Sequence, residues 1–185
     1  MSKIEKEKTD GNFTYFEETP SRGHLDEMCY DTCARIVGRP CLDVALIVEN
    51  QLVLVERSVK PMHGPYMAGG RIYWEKFRSV LQYASFTIQE HFGIEVNTDT
   101  MTLLEPRFVC FTARPYPEVC FWVVANITAP QFKDISLSLK EQNSTHLFKT
   151  KTKLMKHLEL INASKTHVQI LSDLWEELRN KDIIR

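Results

Sequence analysis

The chain of 185 residues lacks several features that would place it in a specialised class of protein. It has no run approaching the roughly 18 to 20 apolar residues that a transmembrane helix needs. Its polar first segment, Met1 to Asp10, also lacks the apolar stretch of a secretory signal peptide. We therefore expect a cytoplasmic protein without a membrane partner.

The chain also lacks a charge excess of either sign. Its 23 Lys and Arg residues oppose 24 Asp and Glu residues, which leaves a formal net charge of -1. A protein that binds nucleic acid without sequence specificity needs a basic surface to neutralise the phosphates. This composition therefore predicts no nucleic-acid partner.

A disulfide pattern is lacking too. The five cysteines are odd in number and lie scattered among apolar residues, which favours reduced, buried thiols. Cys29 and Cys33 can share one face of a helix, but no second pair of cysteines or histidines at short spacing completes a zinc site. All five are therefore interpreted as core residues.

What the chain does contain is a composition typical of one compact domain, with 43% hydrophobic and 25% charged residues. Residues 1–23 are charged, include Gly11 and Pro20, and are predicted to form a flexible N-terminal arm. Residues 24–185 are predicted to form a single domain without an internal repeat.

Hydrophobic periodicity within this domain predicts both helices and strands. Helical spacing extends over Leu25 to Val37, Trp74 to Phe92, Lys151 to Leu158 and Val168 to Leu178. Strand-like segments are Leu42 to Val48, Leu52 to Glu56, Met101 to Leu104, Phe108 to Thr112 and Val119 to Ile127. The order indicates a mixed α/β fold without the regular alternation of a doubly wound sheet.

The stretch from Lys60 to Gly70 is rich in glycine and proline, which predicts a loop with unusual backbone angles. Its end, Gly69-Gly70-Arg71-Ile72, and a helix closing with Glu90-His91-Phe92-Gly93-Ile94 resemble the two ends of the Nudix box. In that family, carboxylates of a loop-helix-loop bind Mg²⁺ or Mn²⁺, which neutralises a diphosphate and activates water. The resemblance implies a Nudix-like α/β/α sandwich with a mixed β-sheet and a divalent metal.

The helix nevertheless departs from the family pattern. Counted back from Gly93, the family positions Arg, Glu, Glu and Glu are occupied by Phe86, Thr87, Glu90 and His91. Glu90 is the one acidic position retained. Thr87, Glu90 and His91 are expected on one helical face, with Tyr83 one turn earlier.

The spacing of the box is also altered. The interval from Gly70 to Gly93 is two residues longer than in the family. The first glutamate of the box corresponds to Glu75 when counted from the front, starting at Gly69, or to Arg78 when counted back from Gly93.

A second set of matches resembles the GDP-mannose mannosyl hydrolase branch of the Nudix superfamily. The matching segments are Arg39-Pro40-Cys41-Leu42-Asp43, Ile47-Val48-Glu49-Asn50, Arg57, Lys60-Pro61, His63-Gly64 and Gly69-Gly70-Arg71. That branch also has a reduced box, and it hydrolyses a nucleotide sugar at the glycosidic carbon, releasing GDP and the sugar.

The resemblance implies a role for each matched residue. Asp43 and Arg71 would be catalytic, and Gly70, Glu90 and His91 would hold the metal. Arg57, Lys60, Gly69, Gly70 and Asn143 would bind the substrate. An imidazole at His91 would suit Mn²⁺, Zn²⁺ or Fe²⁺ better than Mg²⁺. For Arg57 and Arg71, the alternative interpretation is a surface salt bridge. Tyr66, Tyr73 and Trp74 would either stack on a nucleobase or pack against other side chains of the protein.

The run Glu141-Gln142-Asn143 precedes Phe148 at the spacing at which the branch has Glu-Gln-His before a Trp. Asn143 thus occupies the place of the branch's general base, and an asparagine cannot accept a proton at neutral pH. His146 would replace that base only if the loop were rebuilt.

Two hypotheses follow from these residues. The first is a Nudix-type hydrolase that acts on a nucleoside diphosphate-linked substrate, for example a nucleotide sugar, with Mg²⁺ or Mn²⁺. The alternative is a catalytically inactive Nudix-fold module that binds or senses a nucleotide-like small molecule. The resemblance also leads us to expect a homodimer, with the segment before Pro40 as a contact.

Overall fold

A computed structural model describes residues 7–10, 13–16, 39–58, 63–72, 79–109, 117–137 and 142–185. The strands in these residues are β1 (Glu7–Asp10), β2 (Phe13–Phe16), β3 (Arg39–Val48), β4 (Gln51–Arg57), β5 (Gly64–Tyr66), β6 (Ala68–Arg71), β7 (Met101–Leu103), β8 (Arg107–Val109), β9 (Glu118–Asn126) and β10 (Gln142–Phe148). The helices are α1 (Val80–Phe92), α2 (Ala129–Lys133), α3 (Lys151–Leu160) and α4 (Lys165–Asn180), with a 3-10 turn at Thr98–Thr100.

Eight strands form one mixed sheet in the order β10-β4-β3-β9-β7. Strand β5 pairs with β4, β6 with β3 and β8 with β9. The pairing of β3 with β9 is parallel, and the other described pairings are antiparallel. Strands β1 and β2 pair with each other in a separate antiparallel ladder, within the segment predicted as an arm.

The central hairpin of the sheet joins β3 to β4 through a two-residue turn. Glu49 and Asn50 have φ angles of 47° and 63°, the left-handed conformation that short hairpin turns require. Asparagine tolerates this conformation better than most residues. The strands predicted over Leu42 to Val48 and Leu52 to Glu56 are therefore confirmed, and the structure joins them in a hairpin.

The sheet separates two hydrophobic layers, here called the α1 face and the α4 face. Strand β3 contributes to both because successive side chains of a strand point to opposite sides. Leu42 and Val44 pack with Ile88 of α1, whereas Cys41 and Ala45 belong to the layer covered by α3 and α4. Helices cover both sides of a mixed sheet, which confirms the α/β/α sandwich expected from the sequence.

The two longer C-terminal helices bury one apolar side each against the α4 face. Their core residues are Leu154, Leu158, Ile170, Leu171, Leu174, Trp175 and Leu178. Both helices begin at a capping hydroxyl, because the side chains of Thr150 and Ser164 accept hydrogen bonds from backbone N–H groups of the first turn. Helices at both predicted C-terminal segments are thus confirmed.

Three local predictions differ from the structure. Helix α1 begins at Val80 instead of Trp74, since Ser79 is extended and its side chain caps the N–H of Gln82. The predicted loop from Lys60 to Gly70 contains strands β5 and β6, which are short and rich in glycine and therefore resemble a loop in sequence. Strand β10 is polar along most of its length and was not predicted.

Other predictions fall on segments that the structure does not describe. The helix predicted over Leu25 to Val37 lies outside the described residues, with Cys29 and Cys33 in it, and so does the expected dimer contact before Pro40. Among the helices that are described, none is long and apolar enough to cross a membrane.

Candidate functional site

The glycine pair that opens the Nudix-like segment lies in strand β6, beside the central strand β3. Gly69 stands opposite Asp43, and Gly70 stands opposite Leu42. A Cβ atom on Gly69 would lie 1.9 Å from the backbone oxygen of Leu42, whereas one on Gly70 would meet no heavy atom within 4 Å. Strand packing therefore requires glycine at Gly69, while Gly70 leaves its exposed backbone open to approach.

Strand β6 is tied to helix α1 at its last residue. The hydroxyl of Tyr83 donates a hydrogen bond of 2.8 Å to the backbone oxygen of Arg71. The next residue, Ile72, donates its N–H to the backbone oxygen of Pro40 at 3.2 Å. These two bonds fix the half-buried Arg71 relative to the helix that carries Glu90.

The far end of helix α1 matches the family pattern. Gly93 has a φ of 69° and donates its N–H to the backbone oxygen of Gln89, which caps the helix. A Cβ atom at Gly93 would also lie 3.3 Å from the backbone oxygen of Ser136. Both the left-handed backbone conformation and the nearby backbone at Ser136 therefore favour glycine at Gly93, the position where the Nudix box has one.

The box positions of helix α1 lie in different environments. Thr87 and His91 are buried, with 4% and 8% of their surfaces exposed, and they lie with Tyr83 on the buried side of the helix. Glu90 is exposed, and so is the ring of Phe86. Helix α1 thus offers solvent one carboxylate where the family has three.

A resident Mg²⁺ ion does not fit these donors alone. In the part of the chain that the structure describes, neither Glu90 nor His91 belongs to a group of three converging His, Cys, Asp or Glu side chains. Mg²⁺ in proteins is often held by one or two carboxylates together with substrate phosphates. Glu90 would need substrate phosphates to complete such a site, and the metal roles predicted for Gly70, Glu90 and His91 stay predictions.

Asp43 lies on the opposite side of the sheet from helix α1. Its neighbours Leu42 and Val44 pack on the α1 face, whereas the buried Asp43 side chain accepts a hydrogen bond of 3.2 Å from the hydroxyl of Tyr66. Burial, together with the charge of Asp43, raises the pKa of Tyr66 well above its ordinary value. The phenol therefore stays protonated and donates to the carboxylate.

Arg57 and His167 complete this buried cluster on the α4 face. The guanidinium carbon of Arg57 lies 5.7 Å from the centre of the Tyr66 ring, within the range of a cation–π contact. The Nε2 atom of His167 lies 2.7 Å from the backbone oxygen of Pro65. Burial lowers the pKa of His167, and the charge of Arg57 lowers it further, so the ring is neutral and donates through Nε2.

The predicted site residues are thus divided between several places. Gly70 and Arg71 lie in β6, which Tyr83 ties to the start of α1, and Glu90 lies near the C-terminal end of α1. The described contacts of Asp43 and Arg57 lie around Tyr66 on the other side of the sheet. Nothing in the sequence pattern signalled the buried role of His167, which occupies an apolar position of helix α4. The ring of Tyr66 is fully buried, which excludes stacking on a base in this conformation.

Several predicted residues receive no structural description. Lys60, Glu75 and Arg78 lie outside the described residues, as do Tyr73 and Trp74. The backbone of Asn143 lies in strand β10, whose first residue, Gln142, pairs with Arg57 at the end of β4. The predicted roles of these residues stay predictions.

A groove of about 380 Å³ lies on the α4 face between strand β8 and helix α4. Its lining includes Arg107, Phe108, Trp122, Lys165, Gln169 and Asp173. This volume is in the range of small-molecule sites. The indole nitrogen of Trp122 is buried there and has no hydrogen-bond partner among the described residues. No predicted binding residue within the described ranges lines this groove, so it is a separate feature from the junction of β6 and α1.

Comparison with known proteins gives a structural answer only. No protein-family model matches the chain, and no curated protein sequence matches it either. Solved structures do match. The Nudix domain of Shewanella oneidensis NrtR, solved with ADP ribose, aligns with a TM-score of 0.53 and 17% identity over 80% of this chain and 99% of that domain.

Two further structures give the same result. The Ap4A hydrolase of C. elegans aligns with a TM-score of 0.54 and 15% identity, covering 77% of this chain and 98% of the hydrolase. A Nudix hydrolase from Nitrosomonas europaea aligns with a TM-score of 0.51 and 12% identity, covering 65% and 78% of the two chains. Identities this low establish shared architecture, and the chain therefore has the Nudix fold.

Proposed function

We propose that this chain binds a nucleoside diphosphate-linked small molecule at the junction of β6 and α1. Arg71 would hold the phosphates, because a planar guanidinium can bind two phosphate oxygens at once. The exposed backbone at Gly70 leaves room for the ligand to approach the strand. The hydrogen bond from Tyr83 to Arg71 would keep this binding edge in register with helix α1.

The observation that carries the proposal is the environment of the box positions on helix α1. One accessible carboxylate, Glu90, accompanies the buried Thr87 and His91. A single carboxylate can add one ligand to a metal ion already bound by a diphosphate, but it gives the protein little hold on the ion itself. This arrangement favours recognition of the ligand over its rapid hydrolysis.

The structural neighbours support the ligand class. One of them is a Nudix domain solved with ADP ribose, and another is an Ap4A hydrolase. ADP ribose is a nucleoside diphosphate joined to a sugar, which is the class that the resemblance to GDP-mannose mannosyl hydrolases implies. We propose a ligand of this class here, whether its base is adenine or guanine.

Hydrolysis of the same ligand is the second candidate function, because Glu90 is exposed and the resembling branch works with a reduced box. A divalent ion bound with the diphosphate would neutralise charge and activate water. Arg71 would stabilise the phosphate oxygens. Asn143 cannot act as the base, and Asp43 faces the other side of the sheet, so proton transfer would be the weak point of this activity.

Isothermal titration with ADP ribose, GDP-mannose and Ap4A, each with and without Mg²⁺ or Mn²⁺, tests the proposal when each mixture is then analysed for products. We expect binding without product, weakened about 10- to 100-fold in Arg71→Ala, since a charged hydrogen bond contributes about 1.5–3 kcal/mol. Arg179→Ala, an exposed arginine of α4, serves as the matched control.

The outcome of the metal arm separates the two candidate functions. Product release that requires the metal and disappears in Glu90→Gln, but not in the exposed control Glu95→Gln, would establish the hydrolase. Absence of binding by every nucleotide, in protein whose circular dichroism shows a folded chain, would refute both candidates.

A further inference from the structure

Two histidines and a glutamate converge on the α4 face, away from the junction of β6 and α1. Glu56 lies in β4, His146 in the neighbouring strand β10 and His157 in helix α3. One ligand atom of each residue lies within 4.8 Å of the others. Side chains alternate along a strand, so Glu56 points to the same side of the sheet as Leu54, two residues earlier. Leu54 stands opposite His146 in the neighbouring strand, so His146 also points to that side.

The closest pair of atoms in this cluster is shielded from solvent. The Nε2 atom of His146 lies 2.7 Å from an Oε atom of Glu56. Both atoms are buried and have no further hydrogen-bond partner in the part of the chain that the structure describes. The side chains as a whole are 26% exposed for His146 and 31% exposed for Glu56. The donor atoms therefore point inward in a cluster that solvent can still reach.

Aromatic contacts hold the two imidazoles in place. The rings of His146 and His157 lie 5.0 Å apart between centres, and Phe148 lies against both at 6.0 and 5.7 Å. Donor atoms bound to a tetrahedral Zn²⁺ stand about 3.3 Å apart, given Zn–N and Zn–O distances near 2.0–2.2 Å. The three ligand atoms lie within 4.8 Å of one another, so small side-chain rotations would bring them to this geometry.

The geometry points to a binding site for a divalent transition metal, Zn²⁺ in the first place, formed by Glu56, His146 and His157. Two imidazoles and a carboxylate are a ligand set that Zn²⁺ uses with a fourth position open to water, and other late first-row ions accept it too. The ion would join strand β10, at the edge of the sheet, to strand β4 and helix α3. This site is separate from the proposed nucleotide site, and neither proposal depends on the other.

Competition of the metal-free protein with a chromophoric zinc chelator, together with the visible spectrum after addition of Co²⁺, tests this site. We expect one equivalent of Zn²⁺ and a Co²⁺ spectrum of nitrogen and oxygen ligands without a thiolate charge-transfer band. His146→Ala and His157→Gln should each weaken binding by about 100-fold or more, since even the loss of an outer-shell partner costs 10- to 100-fold. Zn²⁺ should also raise the Tm of the native protein, because a ligand that binds the folded state stabilises it.

Two controls make the result specific. His63→Ala removes an exposed histidine outside the cluster, and Glu90→Gln removes the carboxylate of α1, and both variants should bind Zn²⁺ as the native chain does. His157 is half-exposed on a helix, so His157→Gln is expected to fold even if His146→Ala does not. Failure of the native chain to bind, or equal binding by His157→Gln, would overturn the site.

Discussion

The two faces of the sheet bury different kinds of residue. On the α1 face, helix α1 packs through apolar side chains, with Thr87 and His91 as its buried polar residues. The α4 face holds larger groups of polar side chains that contact one another. These are the Asp43–Tyr66 pair with His167, the cluster of Glu56, His146 and His157, and the ion pair of Arg107 with Glu177.

The difference shows how a motif match can combine residues that the fold keeps apart. The resemblance joined Asp43 and Glu90 in one site, since both match a position of the same family. Asp43 is one residue away from Leu42, and in a strand that single step moves a side chain to the other side of the sheet. The residues proposed here to bind a nucleotide are therefore separated by the sheet from Asp43, and the α4 face carries polar contacts of its own.

The largest expected effect comes from breaking the pairing of β6 with β3. Strand β3 contributes side chains to the hydrophobic layers of both faces, so this pairing matters for both. Gly69→Ala should destabilise the protein by about 3 kcal/mol or more, because its Cβ atom would collide with backbone that cannot move easily. Gly70→Ala is the matched control and should change the free energy of unfolding by less than about 0.5 kcal/mol. Urea denaturation of both variants measures the difference, and equal losses would contradict the register of β6.

A smaller loss is expected from a polar contact of the α4 face. Glu177 is buried and accepts hydrogen bonds from Arg107 at 2.8 Å and from the N–H of Glu105 at 3.0 Å. Glu177→Ala should reduce the free energy of unfolding by about 1–2 kcal/mol, since the N–H of Glu105 and the guanidinium of Arg107 both lose their acceptor while both remain partly solvated. Glu176→Gln, which removes an exposed partner of Lys151, should have no measurable effect in the same unfolding experiment.

The helix caps of the two faces offer a sharper comparison. Ser79→Ala and Ser164→Ala remove the capping hydroxyls of α1 and α4, and each should cost about 1 kcal/mol in chemical denaturation. Ser79→Ala alone should also weaken nucleotide binding, because it loosens the start of the helix that holds Arg71 through Tyr83. A loss of nucleotide affinity in Ser164→Ala instead would place the ligand on the α4 face, near the groove.

The smallest expected effect is one of pH on the α4 face. Because the pKa of His167 is lowered in the folded chain, the unfolded chain takes up a proton first as the pH falls. Above its unfolded pKa of about 6.5, His167 therefore contributes no pH dependence to the free energy of unfolding. As the pH falls from that value to the lower folded pKa, the protein loses stability. His167→Gln, which cannot titrate, should show a flatter profile of unfolding free energy between pH 7.5 and pH 5, and an identical profile would contradict this role.

Secondary structure was the more predictable part of this molecule. The alternation of apolar residues over Leu42 to Val48 and the helical spacing over Val168 to Leu178 identify their elements, because each buries a continuous apolar side. Strand β10 was not predicted, since its polar side chains give no such pattern. The start of α1 was misplaced because the aromatic residues before Ser79 continue the helical spacing.

The candidate site was predictable only in part. The packing of Gly69 and the backbone conformation of Gly93 agree with the glycines of the family pattern, whereas the binding roles predicted for Gly69 and Glu90 stay predictions. The grouping of side chains could not be predicted. His146 and His157 are eleven positions apart on different elements, and Glu56 is far from both in sequence, so no local spacing signals their convergence.

The sequence by itself determined much of the architecture of this protein: the apolar periodicities specify the longer described helices and strands apart from β10, and Gly93 specifies the end of α1. Only the tertiary structure decided which polar residues meet. That depends on strand register and on which side of the sheet each helix packs, and both are set by contacts between residues far apart in the chain. The separation of Asp43 from Glu90 and the convergence of Glu56, His146 and His157 both arise in this way.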